Sequence, residues 1–286
     1  MRNAETILGI IHDRGKRGLP LEDVYRQLYN PGLYLRAYGR IYRNDGAMTK
    51  GATAETADGM SMKKIGAIID DVRQERYRWT PVRRTYIPKA NGKMRPLGIP
   101  TWSDKLLQEV LRSLLEAYYE PQFSDQSHGF RPERGCHTCL SEIQRNWTGT
   151  KWYIEGDIKG CFDNIDVDAL LKILSEKILD QRFLRLLRNL LGAGYLEDWR
   201  YQPTRSGTPQ GGVISPILSN IYLSKFDEFV STVVIPRHTR GLRRMFNREH
   251  NNVATLMRYH WKRGNTDRVE SLRERLRHLP AVETHD

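Results

Sequence analysis

The sequence predicts an α+β fold, in which one basic β-hairpin and short strands combine with several amphipathic helices. The hairpin is predicted at 82–99, because Asn91-Gly92 at its centre is the strongest short-range signal for a tight turn between strands. Apolar residues recur with helical spacing on both sides of this segment. The chain has no internal repeat and no low-complexity tract.

Composition and charge limit the possible classes of protein. The 286 residues are enough for two or three structural units, and a hydrophobic fraction of 39% argues against general disorder. Forty-six lysines and arginines against 34 aspartates and glutamates give a net charge of +12, which favours a polyanionic partner. Nucleic acid, an anionic membrane surface and a merely solubilising surface all fit this charge.

Compartment is predicted from apolar runs and cysteines. No stretch approaches the ~18 apolar residues of a membrane span, and the N-terminus has no cleavage-site pattern, so we expect neither membrane association nor a signal peptide. Three cysteines cannot all pair with one another, so we expect the reducing cytoplasm. Cys136 and Cys139 form a C-x-x-C motif without a second ligand pair, and we interpret the cysteines as small buried thiols rather than a zinc site.

Before the hairpin, the predicted elements are mainly helical. Residues 18–45 interleave arginines with five tyrosines, which are Tyr25, Tyr29, Tyr34, Tyr38 and Tyr42. Residues 44–61 are rich in glycine, alanine and threonine, which indicates a loop. Residues 62–78 are predicted to form a helix with its isoleucines on one side.

After the hairpin, Ser103 is predicted to cap an apolar helix. The run from Trp152 to Asp157 predicts a strand that ends at an acid, and Asp166 is predicted to cap the next helix. A loop at 206–212 precedes a helix with Ser215 as its cap.

The C-terminal segment, 237–286, has 12 lysines and arginines against six acids. Its spaced leucines among arginines predict a basic, mostly helical segment with little core of its own. Such a segment is either a solvated face or an RNA contact.

Three segments have the composition of functional sites. An acid at the end of an apolar strand, Asp157, has the rigid support that a metal ligand needs, although such an acid also caps turns. The glycines around Gln210 permit close approach of a ligand to the backbone, or they form only a tight connection between a strand and a helix. The hairpin carries four cations that bind a triphosphate or form a solvated edge, namely Arg83, Lys89, Lys93 and Arg95.

Taken in order, these segments resemble the fingers and palm of reverse transcriptases, and in detail those encoded by group II introns. The motifs are Lys89-x-x-Gly92-Lys93-x-Arg95-Pro96-Leu97-Gly98-Ile99-Pro100, Ser127-His128-Gly129-Phe130-Arg131-Pro132, Asp157-Ile158-Lys159-x-x-Phe162-Asp163 and Gly207-Thr208-Pro209-Gln210-Gly211. The similarity runs from about Leu21 to Val230. The tyrosine-rich stretch and Met48-Thr49-Lys50-Gly51 resemble the N-terminal extension of such proteins.

The resemblance implies a right-hand polymerase fold with fingers, an incomplete palm and an N-terminal helical extension. It divides the chain into the extension with the first fingers helices (1–80), the remaining fingers (81–150), part of the palm (151–236) and a basic helical insertion (237–286). In this family a Tyr-x-Asp-Asp hairpin with two further metal-binding acids, a thumb and a maturase domain come later, and none of them is in this sequence. We therefore expect this polypeptide not to polymerise by itself.

The resemblance also implies roles for single residues. Asp157 matches the first catalytic aspartate, which with the backbone carbonyl of Ile158 would hold divalent metal at a site for two Mg²⁺ ions. Phe162 matches the bulky residue that excludes a ribose 2′-hydroxyl and so selects deoxynucleotides. Gln210 matches the glutamine along the incoming nucleotide, and Gly211 gives it room.

Basic residues are implied to bind phosphate. Arg83, Lys89 and Arg95 match the clamp on the triphosphate, but a two-residue turn at Asn91-Gly92 puts Lys93 rather than Lys89 on the face of Arg95, so Lys93 stays as the alternative. The N-terminal extension would contact template or intron RNA, and its tyrosines either stack on bases or pack in the core. Its candidate RNA-binding residues are Arg36, Arg40, Arg43 and Lys50.

The implied function is an RNA-directed DNA polymerase of a group II intron maturase, with template RNA, intron RNA, a DNA primer and dNTPs as partners. The alternative is an RNA-binding splicing cofactor that uses the polymerase fold as a docking surface. Docking needs none of Asp157, Phe162 and Gln210, whose presence favours the enzyme. An exposed, unfinished palm sheet is also a reason to expect a homodimer.

Overall fold

The protein is described by a computed structural model that covers residues 2–44, 46–88, 92–147, 153–204, 212–239 and 246–282, without the side chain of Asp163. The chain divides into two compact units, Met1–Glu228 and Phe229–Asp286. The finer, four-part division that the sequence suggests stays a prediction.

Helices make up most of the described chain. In chain order they are α1 (Ala4–Lys16), α2 (Val24–Gln27), α3 (Pro31–Ile41), α4 (Met62–Arg73), α5 (Trp102–Tyr119), α6 (Cys136–Asn146), α7 (Cys161–Asn164), α8 (Val167–Ser175), α9 (Gln181–Leu191), α10 (Ser215–Phe229), α11 (Ile235–His238), α12 (Arg248–Lys262) and α13 (Thr266–His278). Short 3₁₀ turns lie at Ala57–Gly59 and Glu120–Gln122, and a π turn lies at Val230–Val234. Together with the four strands of the described residues, these helices confirm the predicted α+β class.

The strands form one mixed sheet in the order β2-β1-β3-β4. They are β1 (Val82–Pro88), β2 (Met94–Ile99), β3 (Tyr195–Glu197) and β4 (Arg200–Gln202). The antiparallel pair β1–β2 is the predicted hairpin, whereas β3 pairs with β1 in parallel. Pro88 lies opposite Met94, which is one residue away from the register of a two-residue turn at Asn91-Gly92. The register is therefore set by pairing along the strands and not by the turn dipeptide alone.

Helix α5 is the centre of the larger unit. Its buried residues lie on all sides of the helix and include Trp102, Leu106, Leu107, Val110, Leu111, Leu114, Leu115 and Tyr118. The predicted cap, Ser103, is wrong, because the hydroxyl of Thr101 accepts the backbone N–H of Asp104 instead. Ser103 lies in the first turn, where its backbone N–H and its hydroxyl both donate to the carboxylate of Glu55 at 3.1 Å.

Helix α1 crosses α5 closely at Gly15. A Cβ atom at this position would lie 2.0 Å from the backbone oxygen of Tyr118. Asn3 begins α1 by accepting the backbone N–H of Glu5, so the helix combines a conventional cap with one position that requires glycine.

Two tyrosines of the N-terminal extension belong to the core. Tyr25 and Tyr34 are buried, and their hydroxyls donate to the backbone oxygens of Val72 and Leu28. Burial raises the pKa of Tyr25 to about 12, so its hydroxyl stays a hydrogen-bond donor at neutral pH. Tyr42 is 45% exposed, so core packing is the observed role of Tyr25 and Tyr34 but not of every tyrosine in this stretch.

Asp180 connects the N-terminal helices to α9. Its carboxylate accepts the backbone N–H of Tyr25 at 2.9 Å and also caps α9 through the N–H of Arg182. The indole N–H of Trp79 donates to the backbone oxygen of Leu186 in the same helix. The predicted cap of α8 is confirmed, because Asp166 accepts the backbone N–H of Ala169.

The strand predicted to end at Asp157 is wrong for the part that is described. Residues 153–158 have no regular structure, and Tyr153 and Ile154 are 68% and 94% exposed. Among the described residues, no strand lies beside this segment to pair with its backbone. An apolar run without such a neighbour does not form a stable strand, because its N–H and C=O groups stay with water.

The smaller unit contains α12 and α13, which pack against each other. In these two helices the buried residues are Val253, Val269 and Leu272. This agrees with the predicted basic, mostly helical segment with little core. In the part of the chain that the structure describes, no helix is both long enough and apolar enough to cross a lipid bilayer.

Candidate functional site

Asp157 lies near the end of an exposed segment, two residues before a sharp turn of the chain. Its side chain is exposed, and Ile158 is 57% exposed, so the segment is open to solvent. Gly160 then takes φ +60°, a left-handed conformation that favours glycine, and helix α7 begins at Cys161. This turn brings the chain from the acid to Phe162 within five residues.

Helix α7 is anchored on α10. The Sγ of Cys161 lies 3.7 Å from the hydroxyl of Ser219, and Ile165 just after α7 is buried. The side-chain amide of Asn164 donates to the backbone oxygen of Lys159 and closes the turn. Phe162 lies between these two anchors in α7 and is half-buried.

The loop that contains Ser127 to Pro132 packs against helix α10. The side-chain amide of Asn220 donates to the backbone oxygen of Gly129 at 2.8 Å. The ring of Phe130 meets the ring of Phe162 edge-on, with centroids 6.3 Å apart. Two of the predicted motifs are therefore in contact, and adjacent residues of α10 hold them.

Arg131 fixes this loop from inside. Its side chain is 4% exposed, and its guanidinium binds the carboxylate of Glu120 at 2.9 Å and donates to the backbone oxygens of Ser124 and Ser127. His128 lies 2.9 Å from the hydroxyl of Thr138. The loop is thus held by the ion pair and hydrogen bonds of Arg131 together with the contact of His128.

Gln210 and Gly211 lie outside the described residues, but the chain just after them is fixed. The backbone N–H of Val213 donates at 3.0 Å to the side-chain oxygen of Gln108, which is 1% exposed. Helix α10 begins at Ser215, so this residue is the first of the helix and not the cap before it that the sequence predicts. Pro216 lies in the first turn, where its missing N–H needs no partner within the helix.

The two described arginines of the predicted triphosphate clamp share one face of the hairpin. Arg83 pairs with Ile99 and Arg95 with Ile87, and side chains two residues apart or directly opposite lie on the same face. The Nε atom of Arg83 is buried without a hydrogen-bond partner among the described residues. Lys93 is exposed and Lys89 lies outside the described residues, so the choice between them stays a prediction.

The opposite face of the hairpin has a different role. Arg84 lies over the ring of Tyr195 at 3.4 Å from the centroid, and its guanidinium is 4.0 Å from the carboxylate of Glu197. The hydroxyl of Tyr86 donates to the same carboxylate. These contacts join β1 to β3, so the side chains of this face stabilise the sheet. Arg83 and Arg95 lie on the other face of the hairpin.

The predicted RNA-binding residues of the extension are exposed, but two of them have acidic neighbours. Arg36 pairs with Glu5 at 2.8 Å, and Arg40 lies 3.5 Å from the buried Glu109. Arg43 and Lys50 are exposed. These positions permit RNA contact, which stays a prediction.

The sequence Met48-Thr49-Lys50-Gly51 has a structural role that its pattern did not indicate. A Cβ atom at Gly51 would lie 2.6 Å from the backbone oxygen of Pro100. Close by, the indole N–H of Trp102 donates to the backbone oxygen of Ala47 at 2.5 Å. The extension therefore packs on the end of β2 and the start of α5.

The cysteines are not the buried thiols that the sequence suggested. Cys136 is exposed and Cys139 is half-buried, because no residue of α6 is buried. Within the described ranges, no group of three or more histidines, cysteines and acids is placed to hold a metal ion. Asp157 and the carbonyl of Ile158 are oxygen donors of the kind that Mg²⁺ prefers, so they fit part of a metal site.

Comparison with known families defines the class of protein. A family model described as reverse transcriptase (RNA-dependent DNA polymerase) matches residues 87–242. The chain therefore belongs to the reverse transcriptase family, and this confirms the predicted polymerase type of fold.

The relatives narrow this class to the group II intron branch. Group II intron-encoded protein LtrA of Lactococcus lactis subsp. cremoris is 54% identical over 208 residues, which is 72% of this chain and 35% of that protein. An uncharacterized 91 kDa protein in cob intron of Schizosaccharomyces pombe is 47% identical, over 80% of this chain and 29% of that protein. Nuclear intron maturase 1, mitochondrial, of Arabidopsis thaliana is 32% identical over 41% of this chain and 19% of that protein. The predicted resemblance is confirmed, and the chain spans about a third of the length of the first two relatives.

Proposed function

We propose that this chain is the fingers and first palm segment of an RNA-directed DNA polymerase, whose full-length parent protein also assists splicing and mobility of a group II intron. The observation that supports this most is the family match at 87–242, which encloses Asp157, Phe162 and Gln210. These residue types serve dNTP addition, whereas an RNA-docking cofactor does not need them. This favours the enzyme over the docking alternative.

In this proposal the chain supplies one part of a two-metal site. Asp157 and the carbonyl of Ile158 would hold Mg²⁺, which lowers the barrier to phosphoryl transfer by neutralising developing charge. The exposed end of segment 153–158 leaves room for a second set of acids. Arg83 and Arg95, with Lys89 or Lys93, would bind the triphosphate by charge-assisted hydrogen bonds.

The remaining substrate contacts follow from the same assignment. Phe162 would block the 2′-hydroxyl of a ribonucleotide, while Gln210 and Gly211 would lie along the incoming nucleotide. Template and intron RNA would meet the extension at Arg36, Arg40, Arg43 and Lys50. We place the protein in the cytoplasm, with a DNA primer as the further substrate. Exposed Tyr153 and Ile154 also support a homodimer of the isolated chain through strand pairing.

Primer extension on an RNA template tests the polymerase assignment. The full-length protein with Mg²⁺ should extend a DNA primer, and Asp157→Ala should abolish extension. The matched control is Asp168→Ala, because Asp168 is another exposed acid nearby, whose ion pair with Arg188 lies at the surface. It should leave extension unchanged. RNA binding without extension by the full-length protein would support the docking cofactor instead, and extension by the 286-residue chain alone would contradict the incomplete site.

A further inference from the structure

Phe130 is held in an unusual conformation for a large side chain. Its backbone has φ +56°, in the left-handed region that bulky residues rarely adopt, and its side chain is 72% exposed. A backbone conformation of this kind costs free energy and persists only when the surrounding structure enforces it. An exposed phenyl ring does not repay this cost through burial in the core.

The residues on both sides of Phe130 enforce this conformation. Gly129 is fixed through its backbone oxygen, which accepts the side-chain N–H of Asn220 at 2.8 Å. Arg131 is fixed by its buried contacts with Glu120 and with the backbone oxygens of its own loop. The ring of Phe130 therefore has a defined position although most of its surface faces solvent.

The ring of Phe130 lies against the ring of Phe162. The two rings meet edge-on at a centroid distance of 6.3 Å and an interplanar angle of 75°, a favourable arrangement for an aromatic pair. Phe162 is held from the other side by the contact of Cys161 with Ser219, which is next to Asn220 in α10. Both rings are thus positioned by adjacent residues of one helix.

We propose that Phe130 is a positioning residue for the ring of Phe162 and so a second determinant of the choice between deoxyribonucleotides and ribonucleotides. This inference rests on the proposed role of Phe162 at the 2′-position of the incoming nucleotide. The edge contact limits rotation of the Phe162 side chain, which keeps the ring where a 2′-hydroxyl would clash. Without Phe130, the ring of Phe162 turns away more easily and admits ribonucleotides.

The test measures discrimination by the full-length protein, defined as kcat/KM for a dNTP divided by kcat/KM for the matching rNTP. Phe130→Ala should lower this ratio by about three- to tenfold, since an aromatic pair contributes an energy of that size. Phe162→Ala should lower it further. In the Phe162→Ala background, Phe130→Ala should have no additional effect, because the contact is already lost. Phe130→Tyr keeps the ring edge and should restore the ratio.

The matched control is Trp199→Ala. Trp199 is also an exposed aromatic residue at positive φ (73% exposed, φ +61°), but no ring contact joins it to Phe162 among the described residues. Its loss should leave the ratio unchanged.

An unchanged ratio in Phe130→Ala, with a lowered ratio in Phe162→Ala, would overturn this inference and leave the proposed function intact. Equal effects of Phe130→Ala in both backgrounds would also overturn it. An unchanged ratio in Phe162→Ala would contradict both the role of Phe162 and this inference. The polymerase assignment would still be supported if primer extension depends on Asp157.

Discussion

Buried polar side chains around the candidate site hold loops in place. Arg131 joins the carboxylate of Glu120 to the backbone oxygens of Ser124 and Ser127. Gln108 holds the chain before α10 through the backbone N–H of Val213. A buried polar group without a partner is costly, so each of these side chains stabilises a particular loop conformation. Loss of one of them leaves its partners unpaired.

Arg131→Lys should destabilise the larger unit. The lysine ammonium keeps the charge but lacks the planar fork that binds Glu120 and the two backbone oxygens at the same time. We expect the free energy of unfolding to fall by about 1–3 kcal/mol, the cost of leaving a buried backbone oxygen without its hydrogen-bond donor. Urea unfolding of the 286-residue chain, followed by circular dichroism, measures this change.

Arg134→Lys is the matched control for Arg131→Lys. Arg134 lies in the same loop and pairs with Asp125 at 2.8 Å, but the aspartate side chain is 87% exposed. Such a surface pair contributes about 0–1 kcal/mol, so this variant should unfold nearly like the wild type. Equal destabilisation by the two substitutions would mean that burial of Arg131 does not matter.

Sequence alone predicts side-chain roles only where the partner is near in the chain. Asp166 is predicted correctly as a cap, because it bonds to a backbone N–H three residues on. Gln108 and Asn220 were missed, since their partners are 105 and 91 residues away and no local pattern points to them. Thr101 and Ser103 are both good caps two residues apart, and only the contacts of Glu55 separate their roles.

Strands, like side chains, can be predicted from sequence when their partners are near in the chain. The β1–β2 hairpin closes on itself, so its turn signal and alternating pattern were sufficient to predict it. Strand β3 is three residues long and pairs with β1 across more than a hundred residues, and the turn after it uses Asp198 and Trp199 at positive φ instead of glycine. Segment 153–158 has the pattern of a strand but no strand beside it in the described chain. A strand is thus fixed by its neighbour as much as by its own sequence.

The crossing of α1 and α5 should be sensitive to one methyl group. Gly15→Ala places a Cβ atom 2.0 Å from the backbone oxygen of Tyr118, a distance that forces the two helices apart. Overpacking against backbone costs about 3 kcal/mol, which exceeds the gain in helix propensity from alanine. Thermal unfolding of the chain should show a lower midpoint for this variant.

Gly9→Ala, in the same helix, is the matched control. Nothing lies within 4 Å of a Cβ atom at Gly9, so alanine adds helix propensity without a clash. This variant should gain about 0.5–1 kcal/mol of stability. If both substitutions stabilised the chain, the close approach at Gly15 would be contradicted.

On the scale of the whole molecule, the positive charge is unevenly distributed. Residues 237–286 contain 12 lysines and arginines against six acids, which is half of the net charge of +12. Helices α12 and α13 in this segment have three buried residues, so most of their side chains face solvent. The charge of this unit is therefore available to a polyanion.

Binding of single-stranded RNA to the chain should weaken steeply with salt, because each lysine or arginine that neutralises a phosphate releases counterions. Replacement of three exposed arginines by glutamine, at Arg258, Arg268 and Arg273, should reduce the slope of log affinity against log salt by up to about 2, at ~0.7 for each lost phosphate contact. Replacement of the same residues by lysine keeps the charge and should keep the slope.

Fluorescence anisotropy of a labelled RNA across a salt series measures the slopes of the unchanged chain, the glutamine variant and the lysine variant. An unchanged slope in the glutamine variant would mean that these arginines do not contact phosphate, and that the affinity comes from other parts of the chain.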